Sequence, residues 1–258
     1  MDYKILEIEN YKFITIPKLN NMGLKNLYTL KPMNLSFNLA KNPKTVRDSI
    51  DYCLDIMGIS HKTLFTSYQV HSNRIQIINE ANEGEIYKYA RIFFDTDGLI
   101  TSNPELVIYS KFADCTPILL FDPIKKVHGN LHSGWKGTLK KIGENGVKML
   151  QNEFNTNPED IIAVVGPTIG YDDFEVDEDV AIQFRETFPF HSEIMKWDGK
   201  KYKIDLLETN KRILRQCGVK DENIIDIPLS TYSTPYMHSY RRDKKNYGLM
   251  GLITSMDE

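Results

Sequence analysis

The sequence predicts a mixed fold of the α/β or α+β class, a single domain of layered β-sheet with helices packed on it. Three observations carry this. Continuous apolar runs of strand length recur through the middle of the chain, at Leu106–Phe112, Ile118–Phe121, Val127–Leu131 and Ile161–Val165. Stretches with helical spacing follow or interrupt them, the alternation that sheets covered by helices produce. No repeat, low-complexity tract or long linker divides the 258 residues, so one domain is expected over 1–258.

In chain order, Tyr3 to Ile8 and Tyr11 to Ile16 read as short strands. Asn20 to Asn42 is rich in Asn, Lys, Leu and Met, and loops are expected there. Thr45 through Met57 carries Val46, Ile50, Cys53, Leu54 and Met57 at helical spacing, with Gly58 as the stop. Cys53, on that stripe, reads as core. Thr63 to Val70 looks like a strand running into His71, and Arg74 to Ile78 like another. Asp97-Gly98 opens a short strand at Leu99-Ile100-Thr101. Pro117 has no N–H to give a sheet, which makes its position a strand end or bulge. After the Asp122-Pro123 turn, Val127 to Leu131 delivers His132. Gly134-Trp135-Lys136-Gly137-Thr138 then leads into a helix bearing Leu139, Ile142, Val147, Met149 and Leu150. Asp177 to Phe188 and Leu206 to Cys217 complete the helices, the second stopping at Gly218.

Composition narrows the function classes. A hydrophobic fraction of 41% and a charged fraction of 26% are those of an ordinary globular protein. A net charge of -3 gives no electrostatic case for nucleic acid or an anionic membrane. No apolar run approaches a bilayer span, and the N-terminus lacks a signal-peptide pattern. Cys53, Cys115 and Cys217 are too few and scattered for a disulfide framework, so a reducing cytoplasm is the simplest expectation.

Chemistry concentrates in His71, Cys115 and His132, each where an apolar run gives way to polar residues. Two imidazoles and a thiolate suit a divalent metal and leave a fourth tetrahedral position open, as catalytic zinc sites do. Their spacing is not itself a zinc signature, since no CxxC or HExxH is present. Read singly, Cys115 is equally an ordinary buried thiol, or a nucleophile assisted by His132. The Gly134–Thr138 turn offers backbone N–H groups and the Lys136 charge to an anion, or is simply a cap with a packed Trp. Arg241 and Arg242, in His238-Ser239-Tyr240-Arg241-Arg242-Asp243, form either an anion clamp or a solvated basic loop. His61, His128 and His191 read as surface.

Taken together, Gln69-Val70-His71, Asp97-Gly98-Leu99-Ile100-Thr101, Ala113-Asp114-Cys115-Thr116-Pro117, His132-Ser133-Gly134-Trp135-Lys136-Gly137-Thr138, Val165-Gly166-Pro167-Thr168-Ile169-Gly170, Phe174-Glu175-Val176 and Ser239-Tyr240-Arg241-Arg242 resemble, in order, the motifs of one family. It is the YfiH-like laccase-domain family, called both polyphenol oxidases and purine nucleoside phosphorylases. The resemblance covers roughly residues 25 to 255. It implies His71, Cys115 and His132 as zinc ligands and phosphorolysis of adenosine, inosine, guanosine and methylthioadenosine, with adenosine deamination as a companion activity. A purine nucleoside and phosphate are then the partners, handled by a monomer or small homo-oligomer. Phosphate is assigned to Lys136, Arg241 and the Gly-rich turn, and the sugar or base to Asp114 or Asn38, with Asp114, Cys115 and His132 nearest the chemistry.

Several positions depart from the family pattern. Tyr28-Thr29-Leu30-Lys31 replaces a Thr-Arg and Gly-Gly segment, Asp172-Asp173 a Cys-Cys pair, Ser230-Thr231 a Cys-Thr, and Gly248-Leu249 a Gly-Arg. Asn38 matches the family's Leu-Asn-Leu site, with Asn34 its competitor. Two other chemistries compete with the zinc reading. Copper suits two His and one Cys, but a four-copper laccase needs roughly ten imidazoles and the chain has 6 His. A cysteine hydrolase would use Cys115 as nucleophile and His132 as its base.

Overall fold

Alternation along the strand Thr116–Asp122 reveals the layers of the computed structural model, which describes residues 2–40 and 42–257. Ile118 and Leu120 join a core with Ile142, Val147, Leu150 and Leu214, whereas Leu119 and Phe121 join another with Tyr28, Phe112 and Leu252. A strand buried on both faces must be apolar throughout, hence its continuous hydrophobic run. The order of layers is helix, sheet, sheet, helix, and the mixed α/β expectation holds.

The larger sheet has eight strands, in spatial order Lys4–Ile8, Tyr11–Thr15, Leu24–Thr29, Met250–Met256, Leu106–Phe112, Thr63–Ser67, Ala90–Phe93 and Glu85–Tyr87. Its outer face is covered by the helix Pro43–Met57 through Val46, Ile50, Cys53 and Leu54. That helix starts at Asn42, whose side chain accepts from Lys44 N–H, and ends at Gly58 with φ 67°. The second sheet runs Ile224–Asp226, Ile162–Val165, Thr116–Asp122, Val127–Ser133, Gly98–Thr101 and Ile75–Ile77. Helices Ile142–Phe154 and Leu206–Gln216 cover it. Close approach here requires Gly146, where a Cβ would lie 2.6 Å from Leu131 Cδ1 and 2.9 Å from Leu120 Cδ1. A small third sheet, Glu175–Val176, Tyr202–Ile204 and Met195–Trp197, packs with helix Glu178–Thr187 beside the second.

Three expectations need correction. The Asn20–Asn42 stretch is not all loop: Leu24–Thr29 is a buried strand inside the larger sheet. Its polar residues are satisfied locally, Asn26 Oδ1 accepting from Ile16 N–H at 2.7 Å and Asn26 Nδ2 donating to the Ile16 carbonyl at 3.1 Å. The helix after Gly134 is two helices, Trp135–Leu139 and Ile142–Phe154, broken at Lys141 with φ 55°. Finally, His128 is not on the surface but fully buried, and His191 is half-buried. His128 shares strand parity with Asn130, whose amide reaches the Ile108 and Leu252 carbonyls of the opposing sheet, so both sit between the sheets. His61 is exposed, as expected.

Candidate metal centre

Three chain segments meet at the mouth between the sheets, and one carboxylate holds them in register. After the strand Thr63–Ser67 the chain turns so that the N–H groups of Val70, His71 and Ser72 all donate to Asp97, at 3.2, 3.0 and 2.7 Å. Ser72 Oγ adds a fourth bond at 2.6 Å. His71 takes φ 59° to allow this wrap. His132, near the end of Val127–Ser133, places Nδ1 2.9 Å from Asp97 Oδ1, and its backbone N–H donates to the Asp97 carbonyl at 2.7 Å. With Nδ1 held by a carboxylate, the free imidazole nitrogen is Nε2, the arrangement by which outer carboxylates orient metal-binding histidines. Burial opposes ionisation of Asp97, yet the bonds from His132 and Ser72 outweigh it and hold the group well below the usual carboxylate range.

Cys115 arrives from a turn between Leu106–Phe112 and Thr116–Asp122, with Asp114 at φ 78°. Its Sγ lies 3.7 Å from His71 Nε2, and the ligand atoms of His71, Cys115 and His132 all fall within 4.8 Å of one another. Tetrahedral bonds of zinc length to sulfur and nitrogen would separate two ligand atoms by about 3.6 Å, so the donor set fits such an ion. Gly134 leaves the space: a Cβ there would sit 2.6 Å from His71 Cδ2 and 2.9 Å from Cys115 Sγ. Burial pushes the Cys115 thiol up, but His132 and His71 more than offset it and pull the pKa down to about 6. His132 is raised by Cys115 and Asp97 against the opposing effect of burial. The two imidazoles thus favour the thiolate, the form that metal binding requires.

The centre opens on a cavity of about 670 Å³. Lys136, Arg241, Asp114 and Asn38 line it with the three candidate ligands, so every site residue expected from the sequence reaches one space. Their surroundings differ. Each Asp114 oxygen already accepts a protein bond, Oδ1 from Thr231 Oγ1 at 2.6 Å and Oδ2 from Arg241 N–H at 2.7 Å. Arg241 Nη1 donates to the Glu175 carbonyl at 3.0 Å while its guanidinium lies over Phe174. Lys136 Nζ sits 5.3 Å from the Trp135 ring centre. Asn38 Oδ1 accepts from Tyr87 at 3.3 Å, whereas Asn34 serves the backbone, accepting from Ser36 and Leu249 N–H groups at 3.0 Å. Arg242 is a structural clamp, donating to the Thr231, Tyr232 and Thr234 carbonyls and to Asp243.

Two departures from the family pattern meet in space: Ser230 Oγ donates to Asp173 Oδ2 at 2.5 Å. Lys31, in another departing segment, pairs with Asp243 at 2.9 Å, tying the early chain to the Tyr240–Asp243 turn. Three contributors escaped the sequence reading. Asp97 and Gln69 were visible only as motif letters; Gln69 grips Lys111 at both backbone groups, at 2.8 and 3.0 Å, and so fixes the strand leading to His71. Lys111, in an apolar strand, gave no signal at all. Outside the centre, His238 bonds the Met33 carbonyl at 2.9 Å and His128 lies between the sheets. Among the described residues, His71, Cys115 and His132 are the one cluster of three such ligands.

A purine nucleoside phosphorylase, YlmD, of Bacillus subtilis is 31% identical over 88% of this chain and 82% of its own length. Another, from Clostridium acetobutylicum, is 31% identical over 96% of this chain and 94% of its own. The mouse relative, purine nucleoside phosphorylase LACC1, is 28% identical and longer, 51% of its length being matched. Two crystal structures share the fold. YlmD of Geobacillus stearothermophilus has a TM-score of 0.88 at 23% identity, over 98% of this chain and 99% of that one. The hypothetical protein YfiH of Bacillus licheniformis has a TM-score of 0.88 at 24% identity, over 97% and 100%. Residues 22–257 match the model of the multi-copper polyphenol oxidoreductase laccase family. With that match, and with the motif-bearing segments converging on one His-Cys-His centre, the chain belongs to this family.

Proposed function

We propose that this protein is a zinc-dependent purine nucleoside phosphorylase acting on adenosine, inosine, guanosine and methylthioadenosine, with adenosine deaminase as a second activity. The observation that carries the reading is the His71–Cys115–His132 cluster opening on one side into a cavity large enough for a nucleoside. Relatives matched over most of this chain bear the name purine nucleoside phosphorylase, which supports the same reading. When bound, a zinc ion held by these three residues supplies Lewis-acid polarisation of a substrate atom.

The remaining work falls to the chain. Asp97 fixes the His132 tautomer and the His71 backbone, so the ligand geometry exists before substrate arrives. Lys136, which has no carboxylate partner among the described residues, offers a cation at the cavity wall for phosphate. Arg241 shares that duty from the opposite turn, and Asp114 positions it through the bond to its N–H. Asn38 meets the sugar or base beside Tyr87. Aromatic rings line much of the cavity and exclude water from the glycosidic bond. Cys115 as a free nucleophile with His132 as base is the competing reading that the depressed thiol favours; rapid alkylation of Cys115 in zinc-replete protein would support it. Copper in the same three ligands is a further alternative, testable by oxygen uptake on a phenol after copper loading.

The decisive test incubates metal-quantified protein with adenosine, with and without phosphate. Adenine with ribose 1-phosphate supports phosphorolysis, and inosine supports deamination. Neither product, or full turnover by a metal-free His71→Ala variant, would end the proposal.

A further inference from the structure

Lys111 stands where the larger sheet borders the cavity, away from the three candidate ligands. Its Nζ donates to Thr66 Oγ1 at 2.7 Å and the Ser67 carbonyl at 3.1 Å, and lies 4.9 Å from the centre of the Tyr109 ring. All three contacts are uncharged. Among the described residues no carboxylate comes within ion-pair distance of it, unlike Lys31 on Asp243 or Lys211 on Asp226. The titratable neighbours in this lobe are the phenols Tyr109, on the same strand, Tyr68, just after the adjacent strand, and Tyr87, on the edge strand of the same sheet, with the Lys88 ammonium 5.1 Å from the Phe37 and Tyr87 ring centres. Phe37, Tyr68, Tyr87 and Tyr109 wall the lobe, flat apolar surfaces suited to an aromatic base. A lysine without a counter-ion in such a lobe serves something a ligand brings.

We infer that the lobe seats the purine and that Lys111 is the acid that protonates the base as it leaves. The inference rests on the phosphorolysis reading above and adds the group that reading lacks. In the step, the C1′–N9 bond breaks with its electron pair passing into the purine ring. A phosphate oxygen forms the new bond to C1′. The Lys111 ammonium gives a proton to a ring nitrogen, and the neutral amine regains one from the phosphate ester or solvent. Burial pushes the Lys111 pKa down to about 7, so the group gives and regains a proton near neutral pH, where an acid catalyst is most effective. Thr66 and Ser67 hold the nitrogen in place, and the Gln69 grip on the Lys111 backbone fixes the strand.

The test compares Lys111→Met and Lys111→Arg with the native protein on adenosine and on 7-methylguanosine, whose cationic base departs without a proton. Thermal melting establishes that each variant is folded. Lys111→Met should lose about 100-fold or more in kcat on adenosine, the lower part of the range for general acids, and stay within about 3-fold of native on 7-methylguanosine. Lys111→Arg keeps the charge but cannot release a proton near pH 7, so it should not restore adenosine turnover. Equal loss on both nucleosides, recovery in Lys111→Arg, native kcat in Lys111→Met, or a change confined to the KM for phosphate would each overturn the role of Lys111. No turnover of any nucleoside by the native protein would instead overturn the phosphorylase reading, and this inference with it.

Discussion

Replacing Asp97 by Asn changes one atom and tests whether the carboxylate assembles the metal centre. Oδ1 accepts from His71 N–H and His132 Nδ1, and Oδ2 from Val70 N–H, Ser72 N–H and Ser72 Oγ. Whichever way an amide is turned, its NH₂ faces at least two donors that had an acceptor. Bonds to a charged group are each worth about 1.5–3 kcal/mol, so losing two costs about 3–6 kcal/mol, divided between folding and ligand placement. For the metal, an altered outer carboxylate costs about 10–100-fold in affinity, or about 1.4–2.8 kcal/mol. Competition against a chromophoric zinc chelator and urea unfolding of the metal-free protein read the two parts separately. Asp97→Asn with native zinc affinity and a native unfolding midpoint would show that Asp97 is not the organiser.

Other perturbations have equally definite expected outcomes. Gly134→Ala places a methyl 2.6 Å from His71 Cδ2, so zinc affinity should fall at least as far as in Asp97→Asn while the metal-free unfolding midpoint changes little; unchanged affinity refutes the close-approach argument. Gly146→Ala drives a methyl to 2.6 Å from Leu131 Cδ1 and should cost about 1–3 kcal/mol in urea unfolding, as overpacking does, with the metal site intact. His128 gives a pH dependence. It is fully buried, neither ring nitrogen has a close hydrogen-bond partner among the described residues, and burial pushes its pKa down to about 3 against the opposing effect of the Thr254 backbone. The unfolded chain, with His near 6.5, binds the proton first, so stability is present above about pH 6.5 and is lost as pH falls toward 3. Between pH 7 and 5 the loss amounts to about 2 kcal/mol. His128→Leu should remove that part of the slope, and an identical slope in the variant refutes it.

Which parts of the molecule could be read in advance follows from what each residue must satisfy. Strands Leu106–Phe112 and Thr116–Asp122 were legible because burial on both faces demands apolar runs such as Leu106-Val107-Ile108-Tyr109 and Ile118-Leu119-Leu120-Phe121. Met250–Met256 was not, since Thr254 and Ser255 look like loop residues until Asn130 Oδ1 and the Leu106 carbonyl accept their hydroxyls at 3.0 Å. Leu24–Thr29 was hidden in the same way by Asn26. At the centre, His71, Cys115 and His132 stood out because their residue types carry metal chemistry and each ends an apolar segment. Asp114 and Arg242 looked like chemistry too, yet their polar atoms are occupied by Thr231, the Arg241 N–H and a ring of carbonyls.

By itself the sequence determined the layered mixed sheet, the helices that cover it and the identity of the three candidate ligands, because hydrophobic period and donor chemistry are local properties of the chain. Only the tertiary structure decided that one carboxylate, Asp97, binds His71 and His132 together across 25 or more residues of chain. It also decided that His128 is sealed between sheets and that Lys111 faces a cavity with no counter-ion among the described residues. Those are facts about which distant groups share a space, and burial and charge compensation depend on that space rather than on neighbours in sequence.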